Sequence, residues 1–375
     1  MNRAPGGIFI GCGEVSGDMY AASLARSLRA AGYDGPLSGM VGERGAAAGI
    51  ESVRDASELH LMGVGEVLHA IPRLLRLRRE LTDFVTKGGF ETVVLVDSPD
   101  FHLPLLSMLR SRGWRGRAVY AVPPTVWAWR GERVKALVRD VDLCLPLFGF
   151  EHDHLVERGV SSAWLGHPLV DDFPANPAPP SGDRIALLPG SRGSEARALL
   201  PALRECALMF RAEGLVPVFS IAPGMSEAAK EWMRGELRGF ELFEGGAREL
   251  LGLCAAAAGA SGTVAVEAMM LDRFMVVMYR AGILTWLAWK LLGRTKNVSI
   301  PNILAGRNVY PELLQWDATG ERAFREITSY LKDGSRRDQV HDGLAAARAR
   351  MGKGGALDFW AREVLLPAGA EGTGR

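Results

Sequence analysis

The chain has 375 residues, too many for one ordinary core and about right for two domains. Hydrophobic residues make up 48% and charged residues 23%, which excludes a disordered chain. The formal net charge of +1 leaves no global field to draw nucleic acid, so no nucleic-acid partner is expected and any basic contact must be local.

In chain order, short apolar runs at 8–12, 93–96, 118–122 and 143–145 read as buried parallel strands, with helices predicted over 19–31 and 71–86. The cycle restarts at 185–188 and continues through 216–221, 253–258 and 274–278, a second α/β unit of similar size. Between the two, Asp171 to Asp183 reads DDFPANPAPPSGD, the composition of a semi-stiff linker. Helices return over 321–332, 337–351 and 356–365. The division expected is a Rossmann-like domain over 1–172, a linker over 173–183, a second Rossmann-like domain over 184–345, C-terminal helices over 346–367 that pack back on the first, and a disordered tail over 368–375. Two doubly wound domains of this kind face a cleft, and ligands bind at the carboxyl ends of their strands.

Residues 1–7 are polar and short, so no secretory signal is expected. No run reaches the length of a spanning helix, so the chain is not expected to cross a membrane, although it can lie against one. Cys12, Cys144, Cys206 and Cys254 lack metal-ligand spacing and read as reduced, mostly buried thiols of a cytoplasmic protein. His152 and His154 read as a solvated helix face, so no metal is expected.

The loops after the strands carry the chemistry. Gly11-Cys12-Gly13-Glu14-Val15-Ser16-Gly17-Asp18 is a glycine-rich turn into a helix. It misses the dinucleotide fingerprint by one residue, which weakens a nicotinamide reading. A plain tight turn with Ser16 or Asp18 as N-cap explains the glycines but leaves Glu14 without a role. Asp97-Ser98-Pro99-Asp100-Phe101 puts two carboxylates just past a strand. Asp97 reads as a turn cap or a second candidate, and Asp100, further into the loop, as the better general base. Nothing local offers Asp100 a cation, so a bound partner is expected to tune it. Trp127 and Trp129 beside Arg130 read as walls of a sugar or acyl pocket, or as core. In the second half, Ser191 and Arg192 at a helix start form an anion site. Ser261, Gly262 and Thr263 open another helix, suited to a pyrophosphate. Glu267, one turn inside, either holds ribose hydroxyls or is buried beside a cation. The run SIPNILAGRNVYPELLQ, 299–315, holds Asn302, Arg307, Glu312 and Gln315 on a turn-rich frame, either a binding loop or an ordinary loop entering a helix at Pro311.

The set GEVSGD, VDSPDF, VWAWR, GHPLVD, LLPGSRGSE, SGTVAVE and IPNILAGRNVYPELLQ, in this order over about residues 8 to 316, closely resembles the lipid-A-disaccharide synthase family. The departures are small: Gly11-Cys12 stands where Ala-Gly is common, and Pro123-Pro124-Thr125 where Ser-Pro-Ser is common. The resemblance implies a GT-B fold and inverting transfer of 2,3-diacylglucosamine from UDP-2,3-diacylglucosamine to 2,3-diacylglucosamine 1-phosphate (lipid X). It implies catalytic roles among Asp100, Asp97 and Glu14. UDP-sugar contacts are implied at Ser191, Arg192, Ser261, Gly262, Thr263, Glu267, Asn302, Arg307 and Gln315. No cofactor is implied, since UDP is the leaving group and helix starts with arginine can stabilise its charge.

Both substrates carry acyl chains, so a membrane face is expected. Leu61, Met62, Val67, Leu68, Leu74 and Leu75 crowd one region beside Arg76, and with Trp127 they form the expected acceptor and membrane surface. Trp286, Trp289, Lys290 and Arg294 offer a second contact. The expected partners are the two lipid substrates and the anionic inner face of the cytoplasmic membrane, with a homodimer as an option. Two other readings stand beside this one. A UDP-sugar 2-epimerase shares the architecture and would turn over free UDP-sugar. A non-catalytic nucleotide-sugar sensor would bind UDP without transfer, which the pair Asp97 and Asp100 argues against.

Overall fold

The computed structural model describes residues 6–59, 64–180, 182–280 and 297–367, with 64–70 as backbone only. The expectations for Leu61, Met62, Trp286, Trp289, Lys290, Arg294 and the tail lie outside the described residues, as do those for the side chains of Val67 and Leu68. The chain forms two compact units: residues up to Pro168 with the segment from Gly352 onward, and Leu169–Met351.

The first unit runs β1 (Ile8–Gly11), α1 (Val15–Ala30), β2 (Leu37–Val41), α2 (Glu43–Ala47), β3 (Glu51–Asp55), α3 (Val64–Lys87), β4 (Thr92–Val96), α4 (Pro99–Ser111), β5 (Arg117–Ala121), α5 (Val134–Asp140), β6 (Leu143–Leu145) and α6 (Gly149–Val156). Its sheet is parallel, in the order β3-β2-β1-β4-β5-β6. The apolar runs alternate between two cores, as strands covered on both faces must. Ile8, Ile10, Val94, Val96, Val119 and Ala121 face one. Phe9, Val93, Leu95, Ala118 and Tyr120 face the other, beneath Leu77, Leu81 and Val85 of α3.

The second unit runs β7 (Arg184–Leu188), α7 (Gly193–Ala212), β8 (Val216–Ser220), α8 (Glu227–Glu236), β9 (Glu241–Phe243), α9 (Ala247–Gly252), β10 (Ala256–Ala260), α10 (Thr263–Met270), β11 (Phe274–Tyr279), α11 (Ile300–Ala305), β12 (Glu312–Leu314), α12 (Gly320–Lys332) and α13 (Gly334–Ala349). Its sheet order, β12-β11-β10-β7-β8-β9, repeats the first when counted from β7. The proline-rich segment lies against this unit. Phe173 is buried under the Arg248 guanidinium, 4.1 Å away, and the Ala178 carbonyl accepts from Arg273 Nη1 at 2.8 Å.

The last helix, α14 (Ala356–Leu365), belongs to the first unit and packs on α1. The Tyr20 and Trp360 rings lie 5.9 Å apart, and Ser27 Oγ donates to Asp358 at 2.8 Å. The chain returns through Gly352, which pairs with Gly166. A Cβ on Gly166 would meet the Lys353 carbonyl oxygen at 2.1 Å, so the glycine of GHPLVD serves backbone contact. His167, next to it, is buried 5.0 Å from the Phe148 ring, and burial lowers its pKa to about 3.

Several strands differ from expectation. β2 was not predicted because its sequence, LSGMV, looks like a loop; a Cβ at Gly39 would strike the Ile10 carbonyl oxygen, and only glycine permits that approach. β3, β9 and β12 are edge strands, short or polar in the way edges usually are. The strand expected over 253–258 is Ala256–Ala260, with Leu253 exposed after α9. Pro311 leads into β12, not into a helix. None of the described helices is long and apolar enough to cross a membrane.

Candidate functional site

In each sheet the strand order reverses once, between β1 and β4 in the first and between β7 and β10 in the second. Ligands of open α/β sheets bind at such points, because the flanking loops part there. Four of the loops that drew attention in the sequence flank these two points.

In the first unit, the β4 loop turns through Asp97 and Ser98, with φ of 55° and 46°. Two groups hold the strained turn by the Asp97 carbonyl: Tyr120 Oη donates to it at 2.5 Å and His102 Nδ1 at 2.8 Å. The β1 loop closes over the turn. Gly13 N–H donates to Asp97 Oδ1 at 3.1 Å. A side chain at Gly13 would strike Ser98, and one at Gly17 would strike the Asp97 carboxylate. Asp97 Oδ2 is buried without a hydrogen-bond partner of good geometry among the described residues. Burial pushes the Asp97 carboxyl up to about 7. The Ser98 hydroxyl and the N–H groups of Gly13 and Glu14 pull the other way, while the Glu14 charge adds to the rise. Glu14 itself is exposed and stands just before α1.

Asp18 is not the cap of α1. It is buried, and its carboxylate accepts from the backbone N–H groups of Gly42, Arg44 and Gly45 at 2.7, 3.0 and 3.1 Å, which caps α2 instead. The expectation that Asp100 has no local cation is overturned. Arg130 Nη1 donates to Asp100 Oδ1 at 2.8 Å, and Arg133 pairs with the same oxygen. Both arginines follow β5, the next strand in the sheet, so they were thirty residues away in sequence and adjacent in space.

Trp127 is half-buried. Its Nε1 donates to Glu151 at 2.9 Å, and its ring meets Phe150 edge-on at 5.0 Å. Glu151 is raised to about 7 by burial, against the bonds it accepts. Leu74 packs partly against the core, whereas Ile71, Leu75 and Arg76 on α3 are exposed; of the leucines 74 and 75, only Leu75 is on the surface.

In the second unit, Gly190 has φ of 118°, and a Cβ there would meet Glu195 Oε2 at 2.8 Å and Ala260 Cβ at 3.4 Å. This brings the β7 loop against the end of β10. Arg192 occupies the N-cap of α7, exposed, with Glu195 3.5 Å away. Ser261, Gly262 and Thr263 follow β10, with Gly262 as N-cap of α10 at φ of 148°. Glu267 is half-buried on α10; burial raises its pKa and the charge of Arg248 opposes the rise.

Asn302 is corrected from ligand contact to structural pin. It is fully buried, and its carboxamide capacity is spent: Nδ2 donates to the Tyr310 carbonyl at 2.9 Å and to Glu312 at 2.8 Å, while Oδ1 accepts from the N–H groups of Val309 and Tyr310 at 2.9 and 2.8 Å. Glu312 in turn accepts from the N–H groups of Val298 and Ser299, just ahead of α11, both at 2.9 Å. Arg307 is exposed and donates to the Gln339 carbonyl on α13 at 3.0 Å. Gln315 has φ of 53°, and its carbonyl accepts from Arg280 Nε at 3.3 Å. His102, Tyr120, Arg130 and Arg133 were not picked out as site residues from the sequence. The one available signal was Arg130 next to Trp129, in a loop already noted. Among the described residues, no group of three or more His, Cys, Asp or Glu could hold a metal ion.

Two sheets of identical strand order, each with glycine-rich strand-to-helix loops at its switch point, define a fold of the GT-B type, built from two Rossmann-like units. The chain shares its fold with a putative UDP-N-acetylglucosamine 2-epimerase from Listeria monocytogenes, with a TM-score of 0.65 at 11% identity and 96% of each chain covered. In sequence, the family described as Lipid-A-disaccharide synthetase matches residues 8–354. The lipid-A-disaccharide synthase of Myxococcus xanthus is 39% identical over 97% of this chain and 99% of its own length. That of Pseudomonas aeruginosa is 36% identical over 89% and 92%. The chain belongs to the lipid-A-disaccharide synthase family, glycosyltransferases of lipid A biosynthesis.

Two stability predictions follow from the burial of these groups. Asn302→Ala removes the partner of the buried Val309 and Tyr310 N–H groups and of the Tyr310 carbonyl, at about 1–3 kcal/mol each before relaxation, and takes one of three bonds from Glu312. Urea denaturation should show a loss of about 3 kcal/mol or more, with UDP affinity of the folded protein unchanged; lost affinity at full stability would restore Asn302 as a ligand contact. Asp97 has a folded pKa above its ordinary value, so its contribution to stability is present below about pH 4 and lost as pH rises through about 7. Asp97→Asn should therefore stabilise the protein at pH 8 by on the order of 2 kcal/mol and have little effect at pH 4. Equal melting shifts at the two pH values would contradict the burial argument.

Proposed function

We propose that this chain transfers 2,3-diacylglucosamine, with inversion, from UDP-2,3-diacylglucosamine to lipid X, releasing UDP. The observation that carries this reading is the match to the lipid-A-disaccharide synthase family over residues 8–354, together with Asp97 just past β4 at the switch point, where the β1 loop closes over its carboxylate. An inverting displacement needs one base for the attacking hydroxyl and no covalent nucleophile, and a base works best with a pKa near the working pH. Asp97 is that base in this reading. Asp100, which the sequence alone favoured, is exposed and engaged by two guanidiniums that compete for its lone pairs. Glu14, exposed beside Asp97, orients the acceptor.

The second unit takes the donor. The N-termini of α7 and α10, with Ser191, Arg192, Ser261, Gly262 and Thr263, meet the pyrophosphate charge that grows as UDP leaves. Glu267 takes the ribose hydroxyls, and Arg307 and Gln315 line the same unit with Asn302 as their support. The protein provides this stabilisation itself, so a chelator should leave the rate unchanged. The deciding experiment mixes the protein with both lipid substrates and looks for the tetraacyl disaccharide 1-phosphate by mass spectrometry. Turnover of the donor without disaccharide would sink the reading.

The protein works on the inner face of the cytoplasmic membrane in this reading. Exposed Ile71 and Leu75 lie one helical turn apart on α3, beside exposed Arg73, Arg76 and Arg79. Apolar side chains flanked by arginine suit an anionic interface, at about 1 kcal/mol per charge near the surface.

Asp97→Asn should lower turnover about 10²–10⁴-fold, whereas Asp100→Asn should stay within a few-fold of the parent. The parent's turnover should fall about tenfold per pH unit below about 7, since only the ionised carboxylate accepts a proton. A flat profile from pH 5 to 8 would exclude Asp97 as the base. On anionic liposomes, Ile71→Ser with Leu75→Ser should float less than the parent while keeping the same circular dichroism. Equal flotation would place the membrane face elsewhere.

A further inference from the structure

The cluster around Asp100 has an unusual balance of charge and exposure. Asp100 sits in the first turn of α4 with its side chain 78% exposed. Arg133, which pairs with it, is 17% exposed, and Arg130 45%. Both guanidiniums reach the same oxygen, Oδ1. Arg78 completes the group: it donates to the Asp100 carbonyl at 2.9 Å, lies over the Phe101 ring at 5.2 Å, and buries its Nε without a partner among the described residues. Three cations therefore gather around one carboxylate, and the anion is the most exposed member of the set.

This arrangement underuses its donors. Each guanidinium presents five N–H groups in a planar fork, suited to two oxygens at once. A single carboxylate oxygen shared between two forks satisfies neither in bidentate fashion. A largely buried Arg133 held by a partner on a water-exposed side chain is costly to keep unless something better takes that place. The frame is also set in advance. Arg130 has φ of 49°, and its guanidinium lies 5.8 Å from the Trp129 ring centroid. A phosphomonoester offers three oxygens and close to two negative charges, which matches two forks and leaves charge for Arg78.

We propose that Arg130 and Arg133, backed by Arg78, bind the 1-phosphate of the acceptor, and that Asp100 occupies this place until the acceptor arrives. This rests on the transfer reading above, which supplies an acceptor bearing a phosphomonoester. The carboxylate swings out as the phosphate enters, so two anions exchange on one pair of cations. The location fits. Asp100 lies three residues beyond Asp97 on the same turn, so the acceptor's phosphate is anchored beside the base, with one sugar ring between the phosphate and the hydroxyl that reacts. Phosphates of anionic lipid headgroups present similar chemistry, and the test separates the two.

The experiment is steady-state kinetics in neutral detergent micelles, with donor saturating and acceptor varied, using lipid X and its analogue lacking the phosphate. Arg130→Ala with Arg133→Ala should raise KM for lipid X about 10- to 100-fold, the scale of charge-assisted bonds, while donor KM moves by less than about twofold. With the phosphate-free acceptor, parent and variant should have equal KM. Arg130→Lys with Arg133→Lys, which keeps the charge and loses the forks, should fall between them and guards against misfolding. Asp100→Asn should lower the KM for lipid X, because it removes the competing anion; an unchanged or higher KM would overturn the exchange. Equal losses with both acceptors, or no loss with lipid X, would overturn the site. If the alanine variant keeps its KM in micelles and loses only flotation on anionic liposomes, the arginines read headgroups and the proposal fails. Failure of the parent to form any disaccharide would instead overturn the transfer reading, a separate outcome.

Discussion

One strained turn sets the shape of the first unit's switch point. Asp97 and Ser98 both sit at positive φ, where a side chain crowds its own backbone and the cost is of order 1–3 kcal/mol each. The grip of Tyr120 and His102 on the Asp97 carbonyl offsets that cost. His102 is buried and held to about 4 by burial, so its ring stays neutral and keeps donating through Nδ1 across the range in which Asp97 titrates. The turn therefore keeps its shape while its carboxylate changes charge. The glycines of the first loop complete the constraint, since Gly13 and Gly17 leave room for nothing larger against Ser98 and Asp97.

The two units solve the same problem twice with different chemistry. Each places two loops at the point where its strand order reverses, and each uses glycine to bring them together. In the first unit the loops close around a half-buried acid, one of whose carboxylate oxygens is buried. In the second they leave helix starts and an arginine exposed, the features of an anion site. A common scaffold thus carries a carboxylate at one switch point and exposed helix starts with an arginine at the other, and the difference lies in a few residues after each strand.

The central strands and long helices were legible because burial on both faces demands apolar runs, and α1, α3, α12 and α14 carry clear helical patterns. The edges were not: β3, β9 and β12 are short or polar, and β2 hides behind a glycine whose role is backbone contact. The loops that matter could be located from the sequence, since they must follow strands. The roles within them could not be assigned, because these depend on partners far along the chain. Asp100 looked unpartnered until Arg130 and Arg133 arrived from the neighbouring strand. Asn302 looked like a ligand contact because a buried carboxamide and a binding one have the same sequence signature, and only the four bonds it makes tell them apart.

The return of α14 to α1 has a consequence for the order in which the protein is made. Phe359, Trp360, Ala361 and Val364 belong to the same hydrophobic cluster as Ile8, Tyr20 and Leu24. On the ribosome, the first sheet emerges early but lacks that covering until the whole second unit has been translated. At roughly 5–20 residues per second, the apolar face of α1 waits on the order of ten seconds or more. The second unit, continuous from Leu169 to Met351, has no such wait. Early termination that removed α14 would therefore uncover the half of the protein that was synthesised first.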